Sequence, residues 1–214
     1  MPRLPRIAPV RLGTLSPADP DELFDGATLE GRLLDGLDLT EQDLAELSLL
    51  ECDLSGVALT DTRLRGARLT SCRLTNVTAA TLSAPRSAWH EVEVGQSRIG
   101  AGELYESELR SVHIAHSKLG FLNLRGSRLT DVLLEGCSID ELDLGGVRAS
   151  RVTVRDCRIG TLDVTGARLE DVDLRGTDFR AINGIEGLRG TTIDENQLAE
   201  LAPLLARQLG LLIG

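Results

Sequence analysis

The sequence predicts an all-β solenoid, a coil whose faces are each one pentapeptide long. Three observations carry this. An apolar residue stands at every fifth position from Phe24 to Phe179 without one insertion, making 32 consecutive units, 19 of them with Leu. Two residues earlier, from Ala27 to Thr177, the position is small or apolar at every site except Arg32 and Gln42. Only Phe24, Trp89, Tyr105, Phe121 and Phe179 are aromatic among 214 residues, so the core must be aliphatic.

Each unit has two inward residues separated by one outward residue, as a short strand does, followed by two polar or Gly positions that turn the chain. An α-helix cannot hold such a stripe, because 3.6 residues per turn spread a five-residue repeat around the cylinder. Units such as A-R-L-T-S (67–71), C-D-L-S-G (52–56), L-D-L-G-G (142–146) and V-D-L-R-G (172–176) resemble the A-(D/N)-L-x-x motif of the pentapeptide-repeat family. That resemblance implies a right-handed quadrilateral β-helix with four units per coil. Eight coils of 20 residues follow, a rod on the order of 38 Å long at the inter-strand spacing.

The elements follow in chain order. Residues 1–20, with Pro2, Pro5, Pro9, Pro17 and Pro20, read as an irregular N-terminal cap over the first coil. Residues 21–181 form the β-helix, with Phe24 and Phe179 in its first and last inward slots. Trp89 is the misfit in a narrow core. It is expected inward, accommodated by Ala79, Ala84 and Ser87, the alternative being a bulge around A-P-R-S-A-W-H at Pro85. Residues 182–214 lose the rhythm and predict a short α-helical cap. Asp194 and Gln197 make a capping-box-like start, Leu198, Leu201, Leu205 and Leu209 recur at helical spacing, and Pro203 is expected to bend or split the helix. The run I-D-x-x-Q and then L-G-L-x-I-G (193–197 and 209–214) is similar to the C-terminal ends of the family's quinolone-resistance members. That similarity implies a homodimer through this end, with Leu198, Leu201, Leu205, Leu209, Leu211, Leu212 and Ile213 as candidate cap and dimer residues.

Chemistry is sparse. All four cysteines occupy the inward position two before the central apolar residue, and Cys52 and Cys72, like Cys137 and Cys157, differ by 20, so each pair stacks in adjacent coils as buried small hydrophobes. Spacing of 20 is no zinc pattern, and His113 and His116 are expected on one outward, solvated face with no carboxylate arranged with them in an obvious ligand motif. There is no phosphate loop, nucleophile elbow or H-E-x-x-H motif. No catalytic residue, cofactor or metal site is expected. No apolar run approaches the roughly 20 residues that span a bilayer, and the proline-broken start is a poor secretion signal, so composition predicts a soluble cytoplasmic protein without membrane contact.

The net charge of −10 argues against direct nucleic-acid binding. It is also local: residues 21–61 hold 12 acidic side chains and one basic one, Arg32. Asp35, Asp38, Glu41, Asp43, Glu46, Glu51, Asp53 and Asp61 are the candidate partner-binding carboxylates. Arg63, Arg65, Arg68 and Arg73 are expected to form a basic girdle behind them, and Arg128, Arg148 and Arg168 to stack in one column. Tyr105 and Phe121, with Leu33, Leu50 and Leu133, fall at outward positions as further contact candidates. The reading is a non-enzymatic scaffold for protein–protein interaction. The resemblance adds an alternative, a DNA mimic that binds gyrase or topoisomerase and gives quinolone-type resistance.

Overall fold

The computed structural model describes residues 1–208, 210 and 211. It is a parallel β-solenoid of about nine turns ending in a single helix, Glu195–Gln208. Coils pair in a 20-residue register, as in Leu109↔Leu129↔Ala149 on one side and Leu122↔Leu142↔Leu162 on another. The strands lie in a 12-stranded and a 7-stranded sheet. The extra turn relative to the repeat count comes from the two ends. Ser16–Pro17 pairs with Arg32–Leu33, and Thr191–Thr192 with Val172–Asp173, so both flanking segments contribute strand.

The corners follow from backbone sterics. The residue two after the central apolar one adopts the left-handed conformation around most of each coil, whether it is Gly, as at Gly56 and Gly126, or not, as at Glu41, Glu46, Glu91 and Asp131. In strands such as Ala88–Gly95 and Glu108–Ala115 this bend falls mid-strand, so one eight-residue strand serves two faces. Six-residue strands such as Arg98–Glu103 make the other sheet.

Inside, the central residues form one continuous cluster from Leu23 to Leu174. The inward position two earlier also carries cross-coil hydrogen bonds. Ser107 Oγ accepts from Ser87 N at 3.0 Å and Ser127 Oγ from Ser107 N at 2.9 Å, while Thr62 Oγ1 donates to Leu39 O at 2.8 Å. The cysteines do the same work: all four are free and buried, and Cys157 Sγ accepts from Cys137 N at 3.3 Å. A hydrogen bond to the stacked partner sulfur, with burial adding to it, pushes the Cys72 and Cys157 thiols up.

Trp89 is inside, 4% exposed, with Ala79, Ala84 and Ser87 buried around it. Its indole N–H donates to Ser87 Oγ at 3.0 Å, which meets the one polar demand of the ring.

Two expectations about inward slots need correction. Phe24 is 59% exposed, and Leu23 fills the core in its place. The cause is a 3-10 turn, Pro20–Glu22, whose N-cap Asp19 accepts from Asp21 N while Glu22 reaches back to Asp19 N, shifting the phase by one residue. Phe179 is only partly buried against the core. Arg32, an exception to the small inward position, donates to Ser16 Oγ at 2.7 Å and pairs with Glu22 at 2.5 Å, tying the N-terminal segment to the first coil.

The C-terminal helix is continuous through Pro203 rather than split. Pro203 gives up its N–H to the residue four back and its ring crowds that carbonyl, but the helical turns on either side persist. The capping box is present: Gln197 N donates to Asp194 Oδ1 at 3.0 Å, and Asp194 N to Gln197 Oε1 at 2.8 Å. Among the described residues, no helix is long and apolar enough to cross a membrane.

Candidate functional site: charged columns on the flanks

Every outward residue stands over its counterpart 20 residues away, so charge is organised in columns. Where opposite charges meet in a column they pair across coils: Arg151 with Asp131 at 2.6 Å, Arg155 with Glu135 at 2.6 Å, Arg86 with Glu106 at 2.8 Å. Arg151 grips Asp131 with two nitrogens, and this hydrogen bonding holds the Asp131 carboxyl below its usual range against the opposing effect of burial.

The acidic first coils look as the residues require. Asp35, Asp38, Glu41, Asp43, Glu46, Glu51 and Asp61 are exposed and Asp53 is half-buried. The arginines behind them do not form a separate girdle: Arg63 pairs with Asp43 at 3.5 Å, Arg68 with Glu46 at 3.7 Å and Arg73 with Asp53 at 3.6 Å. Burial lifts the Asp53 carboxyl above its ordinary range in spite of Arg73. Asp35, Asp38, Glu41, Glu51 and Asp61 have no ion pair among the described residues. Hydrogen bonds from the Thr40 side chain and backbone hold Asp38 below its ordinary range. The five therefore form an unneutralised acidic surface.

At the other end Arg128, Arg148 and Arg168 stack directly, Arg128↔Arg148↔Arg168 in register. With Arg189 they line an open groove of about 610 Å³ floored in part by Thr130 and Ser150. His113 meets one carboxylate, across coils rather than in a ligand motif along the chain. Its Nε2 lies 3.1 Å from Glu135 Oε2, two positions beyond its register partner, a meeting that a search for ligand motifs along the chain does not show. Among the described residues, no three His, Cys, Asp or Glu side chains are grouped to hold a metal ion.

The aromatic candidates are separated from the acidic surface. Phe121 is half-buried between Ala101 and Glu141 in its column, and Tyr105 is exposed at a corner. At the C-terminus the leucine stripe is rotated from expectation. Gln197 and Leu201 are buried, while Leu198 is 51% exposed, Leu204 and Leu211 are exposed, and Leu205 is half-buried. Leu209, Leu212 and Ile213 lie outside the described residues.

Sequence reading missed one set of polar residues, the acceptors Glu93, Ser111, Asp131 and Asp171 on one flank. They bind the backbone of the N-terminal segment. Rather than sitting over the end, residues 3–10 run along this flank: Arg3, Arg6, Ala8 and Val10 donate N–H to Asp171, Asp131, Ser111 and Glu93 at 3.1, 2.9, 2.9 and 3.1 Å. The shared column of Ser111, Asp131 and Asp171, at multiples of 20 residues, was visible, but nothing in the chain pointed to what they hold.

A family model of pentapeptide repeats matches residues 23–61 and 43–76, with eight copies. Among solved structures, a trypsin-treated variant of QnrB1, a plasmid-mediated fluoroquinolone resistance protein, is 19% identical over 87% of this chain and 97% of its own, with a TM-score of 0.41. HetL, a pentapeptide repeat protein involved in heterocyst differentiation regulation in the cyanobacterium Nostoc, is 18% identical over 81% of this chain and 92% of its own, with a TM-score of 0.37. No curated protein matches the sequence. The matched units continue in one register to Phe179, and every coil they build pairs with the next at the same spacing. The chain belongs to the pentapeptide-repeat family.

Proposed function

We propose that this protein is a non-enzymatic scaffold that engages a protein partner through the acidic surface of its first two coils. The observation that supports the reading is the cluster Asp35, Asp38, Glu41, Glu51 and Asp61, exposed and without ion pairs among the described residues while Asp43, Glu46 and Asp53 are paired with arginines. A rigid rod holds such charges without the ordering cost that flexible segments incur on binding. Glu41 and Asp61, 20 residues apart, share one column, so a single basic patch can meet both.

A second reading is gyrase binding by DNA mimicry, and the local charge density favours it. Two coils span about 10 Å, over which duplex DNA carries about six charges; residues 21–61 carry a net −11, three of which are offset by Arg63, Arg68 and Arg73 of the following units. The match is confined to one end of the rod, so contact would be end-on rather than along its length.

Both readings are tested with Glu41→Lys/Asp61→Lys beside the wild type. Capture of a partner from cell extract at low salt, lost in the double variant, is the expected result, and equal capture by both proteins removes the acidic surface from consideration. If the partner is gyrase, excess wild type also inhibits supercoiling or protects it from quinolone poisoning; unchanged supercoiling and poisoning discard the mimic.

Dimerisation through the C-terminus accompanies this proposal, supported by the exposed Leu198, Leu204 and Leu211. Light scattering is expected to give twice the 23.0 kDa chain mass, falling to the monomer in Leu198→Glu. A wild-type monomer would leave the helix as a lid alone.

A further inference from the structure

The N-terminal segment lies on the flank as a peptide lies on a receptor. Its four captured N–H groups reach across five coils, from Asp171 to Glu93. Arg3 adds a clamp, its Nε donating to Asp171 Oδ2 at 2.6 Å and its terminal nitrogen to Glu170 at 3.0 Å, and Arg73 donates to Val10 O at 3.1 Å.

The fit has a geometric cause. Asp131 and Asp171 are two coils apart, about 9.6 Å. A polyproline II chain repeats every three residues, about 9.3 Å. Arg3 and Arg6 are three residues apart, so both present their N–H to the same column. Pro2, Pro5 and Pro9 favour this extended form and carry no N–H that would need an acceptor. At the column the backbone is left-handed at Ser111, Asp131, Arg151 and Asp171, which sets these side chains at successive corners as a regular row.

The solenoid does not need this segment. Its coils are hydrogen-bonded to one another without it, and of residues 1–12 only Val10 is buried. The arm is then tethered by Arg11–Leu15, where Gly13 has open space around it, before Ser16 N bonds Gly31 O. A site that reads mainly backbone N–H and one arginine is indifferent to which chain supplies them.

We infer that this flank is a recognition track for an extended, proline-punctuated basic segment of a partner protein, and that the protein's own arm is its built-in competitor. A short tether holds the arm at an effective concentration of about millimolar, so a partner segment enters only when the arm is weakened or outmatched. The track is separate from the acidic coils and stands whether or not those bind a partner.

The test uses full-length protein and a labelled synthetic peptide of residues 1–12. Ala8→Pro/Val10→Pro deletes two donors from the arm and leaves the track intact. Ser111→Gly/Asp171→Gly, added to that variant, deletes acceptors at positions whose left-handed backbone suits glycine. Fluorescence anisotropy is expected to show the arm variant binding the peptide at least ten-fold more tightly than the wild type. Binding is expected to vanish with the added track substitutions and for a scrambled peptide of the same composition. Trypsin cleavage after Arg6 is expected to accelerate in the arm variant. The inference is overturned if the arm variant binds no better than the wild type, if the scrambled peptide binds equally, or if cleavage after Arg6 is unchanged, since the hydrogen bonds would then not hold the arm.

Discussion

Trp89→Ala is expected to destabilise the solenoid by about 3–5 kcal/mol, the usual cost of deleting a large buried aromatic. The upper part of that range applies because the site cannot collapse. The strand carrying Trp89 is pinned on both sides, Leu69↔Trp89↔Leu109, by the coil-to-coil ladder. The neighbours that make room for the ring, Ala79 and Ala84, have no side chain that can move in to refill the space. Ser87 keeps a bond to Ala84 O at 2.7 Å when the indole is gone, so the loss is one of packing rather than of an orphaned hydroxyl. Trp89→Phe separates the two contributions by retaining most of the apolar volume and losing the indole hydrogen bond, and should cost less than half as much. Urea unfolding followed by circular dichroism measures both. Equal costs for the two variants would show that the hydrogen bond, not the volume, holds this coil.

Gln197→Ala is the second, expected to cost about 2–4 kcal/mol because it leaves buried carbonyls short of donors and removes a helix cap. Gln197 Nε2 donates to Leu174 O at 2.6 Å and Thr177 O at 2.8 Å. The first bond spans 23 residues, the same offset by which Thr62, Ser127 and Thr177 bond the coil below. Gln197 thus stands in the inward slot of a coil that is never made, and its amide supplies donors that the missing strand would have supplied. Gln197→Glu distinguishes this from ordinary capping. Glutamate completes a capping box as well as glutamine, but it sets a carboxylate against two carbonyls, so it should be at least as damaging as alanine. Hydrogen exchange at Val172–Thr177 is the sharper measurement, since a stacked array frays from its ends. Full retention of stability in Gln197→Glu would refute the role as a surrogate coil.

Much of this molecule was legible before any coordinates. The five-residue stripe dictates the solenoid because only a face of that length keeps every such residue inward, and the 20-residue spacing of the cysteines and of Arg128, Arg148 and Arg168 fixes which side chains stack. Trp89 could be placed inward from the small residues around it. The acidic end was visible as a plain count of charge.

Tertiary structure decided what depends on phase and on contacts far apart in the chain. Leu23 rather than Phe24 fills the first slot because a capped 3-10 turn shifts the register by one residue. Gln197 rather than Leu198 faces the last coil because the end of the rod presents carbonyls as well as apolar surface, and a helical stripe counts only the latter. Three of the girdle arginines, Arg63, Arg68 and Arg73, turn out to neutralise Asp43, Glu46 and Asp53, three of the eight candidate carboxylates, since pairing runs across coils and not along the linear order. The arm was beyond reach for the same reason: its acceptors lie from 83 to 168 residues away from the groups they bind, and its proline-rich sequence states only that it is extended, not where it lies.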